Sequence, residues 1–169
     1  MAIRMNGSLA KYFLTGSRST KAVYGIILIT AALIGFQIHE TDSLTLAIKV
    51  FFAGLAIVIA EAYSELLGKK IEHHKVLAKA ERREIIYDAM VISSVTLFPV
   101  IVFLVSELGL YSTDRAFEIC YVLCITGLSL FGYIASRAGG DTRGKSVRKA
   151  LLAAGIGIVV VLSKYHFSH

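Results

Sequence analysis

Residues 44–67 read LTLAIKVFFAGLAIVIAEAYSELL, an apolar run broken by charge only at Lys49, Glu61 and Glu65. A spanning helix needs about 20 mostly apolar residues, so this stretch is long enough to cross a bilayer. A carboxylate in hydrocarbon costs several kcal/mol even by the milder scales (about 2.5–3.5), and it usually marks a functional site. Glu61 and Glu65 stand four residues apart, so a helix would carry both on one face, one turn from each other. An acidic stripe in a membrane helix suits a cation or proton path.

Four further apolar blocks surround this one: Ala22–Ile38, Ile85–Val105, Ala116–Ser136 and Ala150–Tyr165. The chain has 169 residues, 56% of them hydrophobic, with a mean hydropathy of +0.68 and a single proline. A soluble domain of this size buries one core, and several near-continuous apolar blocks exceed it. The bilayer admits only helices and closed barrels, and barrel strands would alternate polar with apolar residues, which these blocks do not. The expected fold is therefore an all-α integral membrane protein of five transmembrane helices.

Basic residues set the expected orientation. They gather in the arm 1–21, which includes Arg4, Lys11, Arg18 and Lys21. They recur in 68–84, from Lys69 to Arg83, and between helices 4 and 5, from Arg137 to Lys149. The alternate connections hold only Arg115, with Lys164 near the C-terminal end and Lys49 placed to snorkel. This alternation puts the N-terminus in the cytoplasm and the C-terminus outside, in a bacterial inner membrane or an organelle membrane. The net charge of +6 is accounted for by topology and by attraction to anionic lipid headgroups, and no nucleic-acid partner is expected.

The organisation expected is a basic arm, 1–21, followed by one membrane domain, 22–169. Within the arm, Leu9, Ala10, Tyr12, Phe13 and Leu14 could form an interfacial helix. The link 68–84 lacks proline and is rich in Lys, Glu, Ala and Leu, so helices 2 and 3 should continue through it as a cytoplasmic extension. Glu81, Glu84 and Asp88 recur at i, i+3, i+7, and Glu65 and Glu72 at i, i+7. Two uses are open to these acids: a solvated face paired with Lys69, Lys75, Lys79 or Arg82, or a vestibule that gathers cations. His73 and His74 are adjacent and point about 100° apart on a helix, so they cannot chelate one ion together. Cys120 and Cys124, at i, i+4, read as small apolar residues at a helix contact. Pro99 should kink helix 3. Small residues at Gly127, Gly132, Ala153, Ala154, Gly155 and Gly157 should let helices 4 and 5 approach closely.

Two stretches resemble the vacuolar iron transporter family, which includes the nodulin-21-like proteins. Ala53-Gly54-Leu55-Ala56 through Ala60-Glu61-Ala62-Tyr63-Ser64 is similar to that family's second helix, and Gly132-Tyr133-Ile134 through Ala153-Ala154-Gly155 to its helix 4–loop–helix 5 passage. The five-helix plan with charged extensions after helix 2 agrees as well. The resemblance implies a homodimer that exchanges divalent iron or manganese for protons along a path between subunits. Its second-helix glutamate falls on Glu61 and the following serine on Ser64. The chain departs at Tyr24, where the family has aspartate, and at Ile57, where it has methionine. It also has a shorter cytoplasmic insert.

Two functions follow as expectations. In one, the chain transports a cation such as iron or manganese, with Glu61, Glu65, Glu72, Glu81, Glu84 and Asp88 as candidate metal ligands. In the other, two lost ligands mean the fold serves as a non-transporting scaffold or partner. No bound cofactor is expected beyond that candidate cation. No enzyme is expected either: there is no Ser-His-Asp set, HExxH or phosphate-cradling glycine loop.

Overall fold

A computed structural model describes residues 16–73 and 77–167, with side chains described for 18–72 and 77–162. Five helices occupy these residues: α1 (Gly16–Gln37), α2 (Ser43–His73), α3 (Lys79–Glu107), α4 (Thr113–Ala138) and α5 (Arg143–Phe167). Each covers one of the five apolar blocks, the first short only of Ile38. Four of them, α1 to α4, are long and apolar enough to cross a membrane. The first turns of α5 hold Arg143, Lys145, Arg148 and Lys149, which shorten its apolar stretch.

At about 1.5 Å per residue, the 31 residues of α2 measure about 46 Å against a hydrocarbon core of about 30 Å. α2 therefore continues past its apolar block to His73, and α3 begins before its own, at Lys79. Helix thus enters 68–84 from both sides, but Leu77 and Ala78 are not helical and Ala78 is the extended N-cap of α3, so the segment is not one continuous extension. The first helix departs from expectation. It starts at Gly16, not at Ala22, so the end of the basic arm is helical and Arg18 and Lys21 belong to the bundle. The interfacial patch Leu9–Leu14 lies outside the described residues.

The most extensive contacts join α2 to α3 and α4 to α5, and α1 touches all four other helices. The main core gathers Ile29 and Leu33 of α1, Leu46 and Val50 of α2, Phe103 of α3, and Phe117 and Cys120 of α4. Phe103 and Phe117 meet edge to face at 4.9 Å, a favoured aromatic geometry. A smaller cluster of Ile26, Cys124 and Leu128 continues toward the basic end. Both cysteines are buried and unbridged at these helix contacts.

Close approach depends on glycine at two places. A Cβ on Gly54 of α2 would stand 2.2 Å from Thr96 Cγ2 of α3, and one on Gly132 of α4 would stand 2.9 Å from Ala153 Cβ of α5. Both pairs follow the small-residue rule for helices in lipid. α3 runs unbroken through Pro99.

Outward, the helices present large apolar side chains: Phe52, Ile59 and Tyr63 on α2, Phe98 on α3, Val122 on α4, and Leu151 and Val159 on α5 are all at least 60% exposed. Apolar surface on this scale is a liability in water and a complement to lipid. The chain is a membrane protein.

Candidate cation-binding site

Glu61 and Glu65 of α2 and Asp88 of α3 meet the cations of α1 at the basic end of the bundle, opposite the connection between α1 and α2. Lys21 of α1 is buried, its side chain only 7% exposed. It forms an ion pair with Glu65, and its Nζ lies 3.9 Å from Glu61 Oε1. Lys69, one turn beyond Glu65 on α2, reaches the other Glu65 oxygen at 3.2 Å. One turn before Lys21, Arg18 donates from Nε to Asp88 Oδ1 of α3 at 2.7 Å. The spacing of Arg18 and Lys21 explains the geometry: residues i and i+3 share a helix face, and that face is turned toward α2 and α3.

Three cations thus stand against three carboxylates, and the cluster balances without an outside ion. Burying a charge is tolerable when it is paired and hydrogen-bonded, which is the condition Lys21 meets through Glu65. The two glutamates are less enclosed, each side chain keeping about a quarter of its surface.

The remaining acids do not converge on them. Glu81 Oε2 accepts from the Ala78 N–H at 2.9 Å, the backbone half of a capping box at the start of α3. Glu72 and Glu84 are exposed. The expected face of Glu81, Glu84 and Asp88 is therefore split, since Asp88 alone is buried. Among the described residues no group of three His, Cys, Asp and Glu side chains is placed to hold a metal. The side chains of His73, His74, His166 and His169 lie outside the described residues. Of the positions matched by resemblance, Ser64 and Tyr24 are exposed and Ile57 is half-buried against the core. A cavity of about 250 Å³ at this end of α2 offers Lys70 and Arg82 among Tyr63, Leu66, Leu67 and Leu77, cations in place of carboxylates.

Lys69 is a partner the sequence anticipated. Lys21 and Arg18 are not, because both read there as orientation signals. Their i, i+3 spacing just ahead of an apolar block was the available clue: it complements the i, i+4 pair of Glu61 and Glu65.

At the opposite end neutral groups tie the helices together, beside an ion pair of Lys49 with Glu40 at 2.7 Å. Ser43 Oγ lies 2.9 Å from Ser106 Oγ and 2.8 Å from Thr113 Oγ1, tying the ends of α2, α3 and α4. The Tyr121 hydroxyl donates to Gln37 Oε1 at 2.8 Å, adding α1.

No known family model, curated protein or solved structure matches this chain.

Proposed function

We propose that the chain is a multi-pass membrane protein in which Glu61, Glu65 and Asp88 serve as a structural latch, and that it acts as a non-transporting scaffold or assembly partner. The observation that carries this reading is Lys21, buried in α1 and paired with Glu65 within 3.9 Å of Glu61. A carboxylate pair already neutralised by the chain's own Lys21 and Lys69 gains little from an imported ion. In the arrangement proposed, all five helices span, the N-terminus lies in the cytoplasm, and the basic end faces the anionic leaflet. The alternation of Lys and Arg supports that orientation, and the exposed apolar face of α5 from Leu151 to Leu162 supports a fifth span.

A second reading has its own support. Glu61 Oε1, at 3.9 Å from Lys21, is beyond hydrogen-bonding distance and its side chain is a quarter exposed. That leaves acceptor capacity for an incoming cation, with Lys21 as the resident it displaces. On this reading the chain, as a homodimer, exchanges iron or manganese for protons, as the likeness to vacuolar iron transporters suggests.

Reconstitution separates the two. Purified protein in liposomes should carry manganese, iron or protons no faster than protein-free vesicles if the latch is structural, and a stoichiometric partner should co-purify from native membranes. Flux by the wild type that Glu61→Gln abolishes, with the fold intact, would overturn the scaffold reading in favour of exchange.

A further inference from the structure

The basic end of α2 has two working stripes. Glu61, Glu65 and Lys69 recur at four-residue intervals and carry the ion pairs made with and beside Lys21. Tyr63, Leu66, Leu67 and Lys70 recur at i, i+3, i+4 and i+7, which is a second face of the same helix. These four line the cavity of about 250 Å³, whose remaining walls are Leu77 and Arg82 at the start of α3. Lys69 is taken up by Glu65, whereas Lys70, the next residue, stands about 100° further round the helix.

Along α2 the wall grades from apolar to charged. Tyr63 to Lys70 spans about 10 Å at 1.5 Å per residue, and the apolar block ends between them, at Leu67. The cavity therefore straddles the level where hydrocarbon gives way to headgroups, the level that tyrosine favours. Leu77 is buried, while Tyr63, Lys70 and Arg82 are exposed, so the cavity opens outward.

Its two cations are spare. Among the described residues neither Lys70 nor Arg82 forms an ion pair, although acids stand close in sequence. Glu81, beside Arg82, is turned to the Ala78 N–H, and Glu72 and Glu84 are exposed. Two cations in the lining and no carboxylate select an anion, and the leucines beside them select one that carries hydrocarbon. A pocket that encloses a whole drug-sized ligand measures about 300–1,000 Å³, so this one suits a headgroup whose acyl chains stay in the bilayer.

We propose that this cavity binds the headgroup of an anionic phospholipid, its phosphate between Lys70 and Arg82 and its glycerol end against Tyr63, Leu66 and Leu67. The proposal rests on the basic end lying at the anionic leaflet. It is independent of either use of Glu61.

Native mass spectrometry of the full chain in detergent, with equimolar dioleoyl phosphatidylglycerol and dioleoyl phosphatidylcholine, tests it. Each cation beside an anionic headgroup is worth roughly fivefold, so wild type should prefer phosphatidylglycerol by about 25-fold. K70Q or R82Q alone should leave about fivefold, and K70Q/R82Q should bring the ratio near one. K145Q/R148Q, which removes two exposed cations from α5 at the same end, should keep the wild-type ratio. The chain has no tryptophan, so Tyr63→Trp sets a single indole in the cavity wall. Brominated phosphatidylglycerol should quench it far more than brominated phosphatidylcholine at the same mole fraction. Equal retention of the two lipids by wild type would overturn the proposal. So would an unchanged ratio in K70Q/R82Q, an equal loss in K145Q/R148Q, or release of the lipid by millimolar inorganic phosphate, the mark of a site for free anions. Detergent has no leaflets, so a reversed orientation or an unexpected ion flux leaves these readings untouched.

Discussion

Replacing Lys21 by Met removes the amine and keeps most of the side-chain volume, so it isolates the charge. Deleting one member of a buried ion pair ordinarily costs about 3–5 kcal/mol, because the other charge is stranded. Here two features reduce that figure. Glu61 and Glu65 each retain about a quarter of their side-chain exposure, and Lys69 still neutralises Glu65 from 3.2 Å. We expect a loss of about 2 kcal/mol, which for a chain of this size lowers the melting temperature by roughly 4–8 °C. Thermal unfolding in detergent, followed by circular dichroism and by monodispersity on size exclusion, reads it directly. The partner should be identifiable as well. With Lys21 gone, Lys69 still serves Glu65 while Glu61 loses its cation, so K21M/E61Q should recover most of the loss and K21M/E65Q distinctly less. A K21M protein as stable as wild type, or equal rescue by the two glutamine substitutions, would refute the latch.

Gly54→Ala should destabilise by about 1–3 kcal/mol, since Thr96 is held in place by its hydroxyl bond to the Ile92 carbonyl and cannot swing away cheaply; a partial recovery in G54A/T96A would confirm the contact in the same melting assay. Cys120 and Cys124, buried in separate parts of the core, should resist maleimide in the folded protein and react once it is unfolded, as a mass shift will record. The Asp141 carboxyl is held below its usual range by the hydrogen bond from Lys149 and then by that from Ser136. A depressed folded value means its contribution is full above the unfolded value near 4 and fades as pH falls below it. Hydrogen exchange in the turn between α4 and α5 should therefore quicken on acidification through that range, and D141N should remove the pH dependence.

The helices were legible because apolar blocks of spanning length leave the chain no other solution in lipid. The break at Leu77 and Ala78 ahead of α3 was not, whereas the extension of α2 to His73 was legible from its charged, proline-free sequence. Where α1 begins was less so. Ser17, Ser19 and Thr20 interrupt the hydrophobic pattern, and nothing local says that Gly16–Lys21 is helical until Arg18 and Lys21 find acids to meet. The candidate site shows the same divide. Glu61 and Glu65 announce themselves by the cost of placing acids in hydrocarbon, which is a property of each residue alone. Their partner lies forty or more positions away, and pairing at that distance is decided by how α1 packs between α2 and α3. Glu81 was misplaced for a related reason: a periodic match to Asp88 on the helix face was outweighed by the unpaired backbone N–H at the start of α3.

The knot of Ser43, Ser106 and Thr113 has no ionisable member, whereas the contacts across α1, α2 and α3 at the other end are carried by charge. Concentrated salt therefore weakens the contacts of Arg18 and Lys21, and with them the surface pair of Lys49 and Glu40, but leaves the hydroxyl knot fastened. Under those conditions the bundle should splay like a pair of tongs about its Ser43 end, with the first helix the first to swing free.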